Sequence, residues 1–251
     1  MSGIVLITGA SAGLGAEFAR QLSRRGQRLV LAARRKDRLD ALAAEVGNAR
    51  TVGIDLSAPG AAACLVADVE AAGETIDTLI NNAGFGLRGR FVDLDASRER
   101  EMIDLNCGAL TDLCRAVVPG MIDRKRGGIL NIASTAAFQP GPKMAVYFAT
   151  KAYVLSFTEA LHEELKPHGI KVSALCPGPT RTEFGDVAGI ASLGQFERLS
   201  MDAAPVVRAG IKGLDANKAV IIPGATNKIG AWSTRFAPRS VVRKIAGSLK
   251  F

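Results

Sequence analysis

The sequence predicts a doubly wound α/β fold, in which a mostly parallel sheet of seven strands carries helices on both faces. The first observation is an alternation of short β-branched and aliphatic runs with stretches whose apolar residues recur at helical spacing. Such an alternation requires right-handed crossovers and a parallel sheet. The second is that glycines and polar residues follow the strands, at the carboxyl edge where such sheets bind ligands. The strands are expected within residues 3–8, 27–33, 50–55, 75–84, 127–134, 169–178 and 218–224.

The composition predicts one globular domain over residues 1–251, with 48% hydrophobic and 22% charged residues. The net charge of +8 arises from scattered basic residues, with few aromatic residues to stack on bases, which argues against a nucleic-acid partner. Four cysteines without Cys-x-x-Cys or histidine-ligand spacing indicate neither a metal site nor a disulfide framework. We expect no signal peptide and no membrane-spanning segment, and therefore a cytoplasmic protein.

The stretch TGASAGLG, residues 8–15, follows the first expected strand and permits two interpretations. Its centre fits G-x-S-x-G, the turn that presents a nucleophilic serine, here Ser11, in α/β hydrolases. Alternatively, its glycines bring the backbone N–H groups of a helix N-terminus close to the phosphates of a dinucleotide. Gly9 would then permit the turn, Gly13 the approach of the backbone and Gly15 close helix packing. The position after the first strand favours the dinucleotide, because the hydrolase turn usually lies deeper in the chain.

Basic residues follow the second expected strand, where a carboxylate for the ribose hydroxyls would stand roughly 20 residues past the glycines. The sequence there is Ala33-Arg34-Arg35-Lys36. A guanidinium suits a 2′-phosphate through bidentate charge-assisted hydrogen bonds. Without an acid at this position, NAD lacks the main hydrogen-bond acceptor for its ribose hydroxyls. We expect NADP(H) to be preferred over NAD(H), with Arg34 as the phosphate ligand and Arg35 and Arg38 as helpers. The alternative is a solvated basic turn before a helix.

The stretch YFATK places Tyr147 and Lys151 at i and i+4 on one helical face, where an ammonium near the phenol would lower the tyrosine pKa toward the working range. Ser134 ends the fifth expected strand, so its hydroxyl can meet Tyr147 at the same sheet edge and donate to a carbonyl. Thr135 is a rival hydroxyl. A surface helix pair and a turn-capping serine are the structural alternatives.

With these pieces in place, the chain resembles the short-chain dehydrogenase/reductase family over about residues 3 to 184, and the resemblance implies its Rossmann-like fold. The matching pieces stand in family-like order: TGASAGLG (8–15), DL (55–56), NNAG (81–84), Asn106, Ser134, YFATK (147–151) and PGPTRT (177–182). The resemblance implies hydride transfer between a nicotinamide and a carbonyl or carbinol carbon, physiologically the reduction of a small-molecule ketone or aldehyde.

The resemblance also implies roles for individual residues. Tyr147 would be the acid/base, Ser134 would polarise the carbonyl, Lys151 would hold the nicotinamide ribose and Asn106 would position a water behind Lys151. Thr180 stands where valine or isoleucine is frequent in the family, and Ala12 stands where many NADP-using members have a basic residue. Cofactor contacts are implied for Gly9, Ser11, Gly13, Leu14, Gly15, Arg34, Asp55, Leu56, Asn82, Ala83, Gly84, Tyr147, Lys151, Pro177, Gly178, Thr180 and Thr182.

Two segments differ from the regular alternation. Residues 183–205 are irregular and apolar in places, with Phe184, Leu193, Phe196 and Leu199, and are expected to form a substrate lid. Phe85, Phe138 and Met144 are expected either to add an apolar wall, which would favour a bulky hydrophobic substrate, or to be ordinary packing residues.

Residues 225–251 are expected to form a helical extension of one or two basic amphipathic helices broken at Pro238. We rank contact of this extension with a membrane surface below packing on the body or on a second subunit. The resemblance implies self-association, as a dimer at least. The alternative to an enzyme is a cofactor-sensing protein of the same fold without turnover, which would not need the set Asn106, Ser134, Tyr147 and Lys151.

Overall fold

The computed structural model describes residues 3–190 and 198–248. Its centre is a sheet of seven parallel strands in the order β3-β2-β1-β4-β5-β6-β7. This confirms the predicted fold class. The strands are β1 (Ile4–Thr8), β2 (Leu29–Ala33), β3 (Ala49–Gly53), β4 (Ile76–Asn81), β5 (Gly127–Ile132), β6 (Ile170–Leu175) and β7 (Val220–Ile221).

Helices cover both faces of this sheet. The last strand, β7, is shorter than its apolar run suggests, because only Ala174 and Leu175 of β6 pair with it. Between two helices lies a π-helical turn, Asp104–Ala109. The helices are α1 (Gly13–Ser23), α2 (Lys36–Val46), α3 (Ala61–Ala71), α4 (Ala96–Ile103), α5 (Leu110–Asp123), α6 (Ala145–Leu165), α7 (Phe184–Val187), α8 (Ala203–Asp215), α9 (Ala225–Ser233) and α10 (Arg239–Ser248).

The hydrophobic core has two layers because the inner strands are buried on both faces, as expected for a parallel sheet under helices, whereas the edge strand β3 is only partly buried. One layer contains Leu65 of α3 and Val154 of α6, and the other contains Phe18 of α1 and Leu39 of α2. All four side chains are fully buried. This rigid body leaves the carboxyl ends of the strands as the edge where loops from several elements converge.

The C-terminal extension forms α9 and α10, with Pro238 between them. Small side chains such as Ala231 and Ala246 face the body, whereas Trp232 and Phe236 are exposed. Residues 224–251 contain no acidic residue and six basic ones: Lys228, Arg235, Arg239, Arg243, Lys244 and Lys250. Within the described ranges 3–190 and 198–248, no helix is long and apolar enough to cross a bilayer.

Candidate active site and cofactor cleft

A cleft of about 460 Å³ opens at the carboxyl edge of the sheet, lined by residues that follow β1, β2, β3, β4, β5 and β6. Most of the predicted site residues line it. Gly15 and Asn106 do not and lie behind its surface. Those that line it are Gly9, Ser11, Gly13, Leu14, Arg34, Asp55, Leu56, Asn82, Ala83, Gly84, Ser134, Tyr147, Lys151, Pro177, Gly178, Thr180 and Thr182.

The turn between β1 and α1 depends on its glycines. Gly9 and Gly13 have φ angles of +63° and +55°, in the left-handed region that glycine adopts readily. A Cβ atom on Gly15 would lie only 2.3 Å from the carbonyl oxygen of Gly9. Because α1 has no side-chain cap and no acidic residue in its first turn, its N-terminal N–H groups can serve an anion.

Two residues from other strands hold this turn. The side-chain amide of Asn82 donates to the carbonyl oxygens of Thr8 (3.0 Å) and Gly9 (3.1 Å). The Thr8 hydroxyl accepts from the N–H groups of Asn82 and Ala83, both at 3.0 Å. Asn82 therefore positions the glycine turn. Thr8 is a site residue that sequence reasoning missed, and the only signal for it is a hydroxyl at the end of a buried strand.

Arg34 lies at the cleft beside two carboxylates. Its Nη1 is 3.1 Å from Oε1 of Glu101 on α4 and 3.9 Å from Oδ2 of Asp55. The Arg34 side chain is 55% exposed, so the charged head remains accessible from solvent. Sequence reasoning did not find Glu101, because α4 approaches β2 only through the tertiary fold.

Arg35 lies above the glycine turn. Its Nε and Nη2 donate to the Ser11 hydroxyl at 3.3 and 3.2 Å, and its Nη1 lies 2.9 Å from Glu183. Arg38 does not line the cleft but also pairs with Glu183, at 2.5 Å. The three predicted arginines thus follow β2 near the glycine turn, and each is paired with a carboxylate.

Tyr147 and Ser134 meet at the other end of the cleft. Ser134 accepts a hydrogen bond from the N–H of Ala136 (3.1 Å), so it also caps the turn after β5. Burial raises the pKa of the Tyr147 phenol to about 12, and its hydrogen bond with Ser134 lowers it only in part. At neutral pH the phenol therefore carries a proton that it can donate.

Lys151 does not lower the tyrosine pKa as expected. Its Nζ donates to the carbonyl of Ile132 at 2.8 Å and lies 5.8 Å from the centroid of the Tyr147 ring. The ammonium thus approaches the ring, while burial of the hydroxyl dominates its pKa. Burial also lowers the pKa of Lys151 to about 8.

Asn106 is 1% exposed and lies on the π-helical turn behind the cleft. Its Oδ1 accepts from the N–H of Phe85 (3.1 Å), and its Nδ2 donates to the carbonyl of Phe85 (2.9 Å) and to the Thr150 hydroxyl (3.1 Å). A Cβ on Gly84 would lie 2.8 Å from Asn106 Oδ1. Thr150, one residue before Lys151, is a further member of this site that the sequence did not reveal.

The wall around Tyr147 is apolar. The ring of Phe184 lies 5.3 Å from that of Tyr147, centroid to centroid, and Phe85 and Met144 also line the cleft. Phe138 packs against the main core instead, so it is a packing residue. Of the expected lid, Leu193 and Phe196 lie outside the described residues, and Leu199 is half exposed.

A family model described as short chain dehydrogenase matches residues 3–190. The chain belongs to the short-chain dehydrogenase/reductase family. This assignment identifies it as an oxidoreductase. A hydrolase at Ser11 would need a histidine beside it, but His162 is buried in α6 with Nδ1 2.6 Å from the carbonyl of Val172 and does not line the cleft that contains Ser11. His168 follows α6 on a separate turn and does not line the cleft.

Two curated relatives show which enzymes this short-chain dehydrogenase is similar to in sequence. It is 40% identical over 188 residues to the NADP-dependent 3-hydroxy acid dehydrogenase YdfG of Salmonella typhi, with 73% of this chain and 75% of that protein covered. It is 31% identical over 191 residues to the very-long-chain 3-oxoacyl-CoA reductase of Bos taurus, with 72% of this chain covered. The aligned region spans only 61% of the bovine protein.

Solved structures of the family superpose on nearly the whole chain. A short-chain dehydrogenase from Sphingobium yanoikuyae in complex with NADPH has a TM-score of 0.84 at 36% identity, with 99% of this chain and 97% of that chain covered. The bulky-bulky ketone specific alcohol dehydrogenase from Comamonas testosteroni has a TM-score of 0.79 at 32% identity, with 99% and 95% covered. Both alignments therefore include the region of the C-terminal helices.

Proposed function

We propose that this short-chain dehydrogenase transfers a hydride between NADP(H) and a carbonyl or secondary alcohol carbon, and that it reduces hydrophobic ketones or aldehydes. The observation that carries the proposal is the cleft itself. One end of the cleft has the uncapped N-terminus of α1 and the arginines, and the other end has the buried Tyr147, which is hydrogen-bonded to Ser134. A dinucleotide has phosphates for the first end and a reactive ring for the second.

The residues present fit a bound NADP(H). The glycine turn leaves no room for a side chain at Gly15, so the backbone donors of α1 stay open to the pyrophosphate. Arg34 and Arg35 are placed for a 2′-phosphate, and Asp55 and Leu56 border the adenine end. The relatives support this cofactor, since one is named NADP-dependent and one solved structure contains NADPH. When bound, the nicotinamide supplies or accepts the hydride.

The proposed acid is Tyr147, because its phenol is protonated at neutral pH and lies in the cleft. Ser134 orients the substrate oxygen through its hydroxyl. Lys151 supplies positive charge at the face of the Tyr147 ring and a donor to the cofactor ribose. Asn106 acts indirectly, since its hydrogen bonds fix the backbone of Phe85 at the cleft wall.

The proposed substrate class follows from the wall around Tyr147. Phe85, Met144, Phe184, Val187 and Ile190 all line this cleft and offer apolar surface to the group beside a reacting carbonyl. Charged acyl or hydroxy-acid substrates would need a cation in this part of the cleft, whereas Arg98, which lies 4.8 Å from the Phe85 ring centroid, is not among the cleft-lining residues. The Comamonas testosteroni neighbour, named for bulky-bulky ketones, supports the same class.

The experiment is NADPH oxidation, with NADH in parallel, over ketones and aldehydes graded by apolar size. Turnover that rises with apolar size and is faster with NADPH supports the proposal. Turnover restricted to small charged carbonyls would contradict the substrate class. A cofactor-sensing protein would bind NADPH without turning over any member of the panel. A hydrolase with Ser11 as its nucleophile would lose its hydrolytic activity in Ser11→Ala, whereas a reductase would only bind its cofactor more weakly.

We further propose at least a homodimer that uses the outer face of α6 and its neighbour α5. Tyr153 on α6 is 43% exposed, stacks on Phe157 and shares a hydrogen bond of 2.8 Å with Thr111 of α5. The exposed Trp232 and Phe236 of the extension offer a second surface, for another subunit in preference to a membrane. Light scattering after size exclusion tests the assembly, and a monomer at micromolar concentration would contradict it.

A further inference from the structure

Glu183 stands between the two ends of the cleft. It follows Thr182, whose Cβ would lie 3.1 Å from a Cβ placed on Gly13, so the chain here runs beside the glycine turn. Its carboxylate pairs with Nη1 of Arg35 (2.9 Å) and Nη1 of Arg38 (2.5 Å), which come from the turn after β2 and the start of α2. These ion pairs join segments almost 150 residues apart in the sequence.

The Glu183 carboxylate is ionised at neutral pH. Partial desolvation raises its pKa, but the hydrogen bonds and charges of Arg35 and Arg38 outweigh this and hold the pKa below its usual range. The Arg35 guanidinium holds Glu183 through Nη1, while its Nε and Nη2 both donate to the Ser11 hydroxyl. A phosphate that approaches Arg35 must therefore compete with a carboxylate.

The next residue, Phe184, reaches the opposite end of the cleft. Its ring lies against that of Tyr147, and a Cβ on Gly86 would touch it at 2.9 Å. Phe184 begins α7, a helix of four residues. It is held by backbone hydrogen bonds such as the one from the Val187 N–H to the carbonyl oxygen of Glu183 (3.0 Å). A single helical turn is marginal by itself, so its attachment to the body depends on anchors, here Glu183 before it and the buried Ala188 and Ile190 after it.

From these contacts we infer that Glu183 is a positioning residue that makes the substrate end of the cleft respond to the cofactor's 2′-phosphate. The phosphate takes Arg35 and Arg38 from Glu183, because a dianion binds guanidinium groups more strongly than a carboxylate does and repels that carboxylate. The released Glu183 then loosens residues 183–190 and lets Phe184 move on Tyr147. NADH has no such phosphate and leaves the ion pairs in place. The inference rests on the proposed function.

The first test compares Glu183→Gln with wild type by titration of the cofactors in the absence of substrate. Loss of the competing carboxylate is expected to tighten NADPH binding about three- to tenfold and to change NADH binding less than about twofold. Glu45→Gln is the matched control, because it breaks an equally exposed pair with Arg20 (2.7 Å) away from the cleft. It should leave both affinities unchanged.

The second test is hydrogen exchange of the amides in residues 183–190. In wild type, NADPH should accelerate this exchange and NADH should not. In Glu183→Gln the exchange should already be fast without cofactor. Arg38→Gln, which breaks one pair from the other side, should also raise exchange without tightening NADPH.

An unchanged ratio of NADPH to NADH affinity in Glu183→Gln, or equal effects of the two cofactors on wild-type exchange, would overturn the inference and leave the proposed function standing. Failure of the wild-type chain to bind NADPH would overturn both. Neither test needs a known substrate or turnover.

Discussion

The Lys151 ammonium donates to the backbone carbonyl of Ile132 at 2.8 Å and lies over the Tyr147 ring, 5.8 Å from its centroid. The lysine is thus anchored at the end of β5 while its ammonium faces the ring of the tyrosine. Burial lowers the pKa of this ammonium to about 8 and raises that of the phenol to about 12. The two groups of the Tyr-x-x-x-Lys pair therefore titrate in separate pH ranges.

A pH profile follows from this arrangement. If charged Lys151 is needed, kcat/KM for carbonyl reduction should fall as the pH rises through about 8, because the ammonium loses its proton there. Tyr147 should add no second fall below pH 10, since the phenol stays protonated. Initial rates between pH 6 and about 11.5 measure this, with Lys151→Met as the variant whose residual rate should lack the step near pH 8. A fall centred near 10.5 would contradict the role of burial.

Tyr147→Phe should bind NADPH like wild type and lose reduction by about 10²- to 10⁴-fold, because only the proton donor is removed. The chain has two tyrosines, and the other, Tyr153, is exposed on the same helix. Tyr153→Phe is therefore the control and should keep its rate. Steady-state kinetics and cofactor fluorescence separate the two effects. A Tyr147→Phe variant with near wild-type kcat would remove this residue from the mechanism.

Arg34→Asp should shift preference toward NADH. The new carboxylate would join Asp55 and Glu101, which now lie 3.9 and 3.1 Å from the Arg34 guanidinium, and would repel a 2′-phosphate. We expect the NADPH to NADH ratio of kcat/KM to fall by about tenfold or more. The NADH constants serve as the internal control for folding. An unchanged ratio would mean that Arg35 and not Arg34 binds the 2′-phosphate, and Arg35→Asp would test this.

Gly15→Ala should destabilise the fold by about 1–3 kcal/mol or more, because the new Cβ would collide with the backbone of the glycine turn. Gly230→Ala is the control, since a Cβ at this position of α9 meets nothing within 4 Å. It should stabilise by about 0.5–1 kcal/mol. Urea unfolding at equal protein concentration measures both. Equal stability of the two variants would refute the close approach at Gly15.

Much of the fold and of the site could be predicted because its signals are local in sequence. The apolar runs, the glycine turn and the spacing of Tyr147 and Lys151 each fall within a few residues, so periodicity and turn chemistry suffice. The position of Ser134 followed from parallel topology alone, since the carboxyl ends of β5 and of its neighbours meet at one edge.

The rest depends on contacts between distant segments. Thr8, Thr150 and Glu101 act through partners on other elements, and no spacing in the sequence marks them. The pKa of Tyr147 was expected to be low because the lysine is four residues away, but burial of the phenol decides it. For Phe138 the sequence left cleft wall and packing residue open, and the structure packs it against the main core.

The uneven charge of the chain has a practical consequence for its handling. Six of the eight net positive charges belong to residues 224–251, which leaves the preceding 223 residues at only +2. On a cation-exchange column the molecule should attach by its C-terminal end, and its retention should depend on these few side chains. Charge reversal at Lys228 and Arg235 would advance elution far more than the same number of changes elsewhere, without touching the sheet.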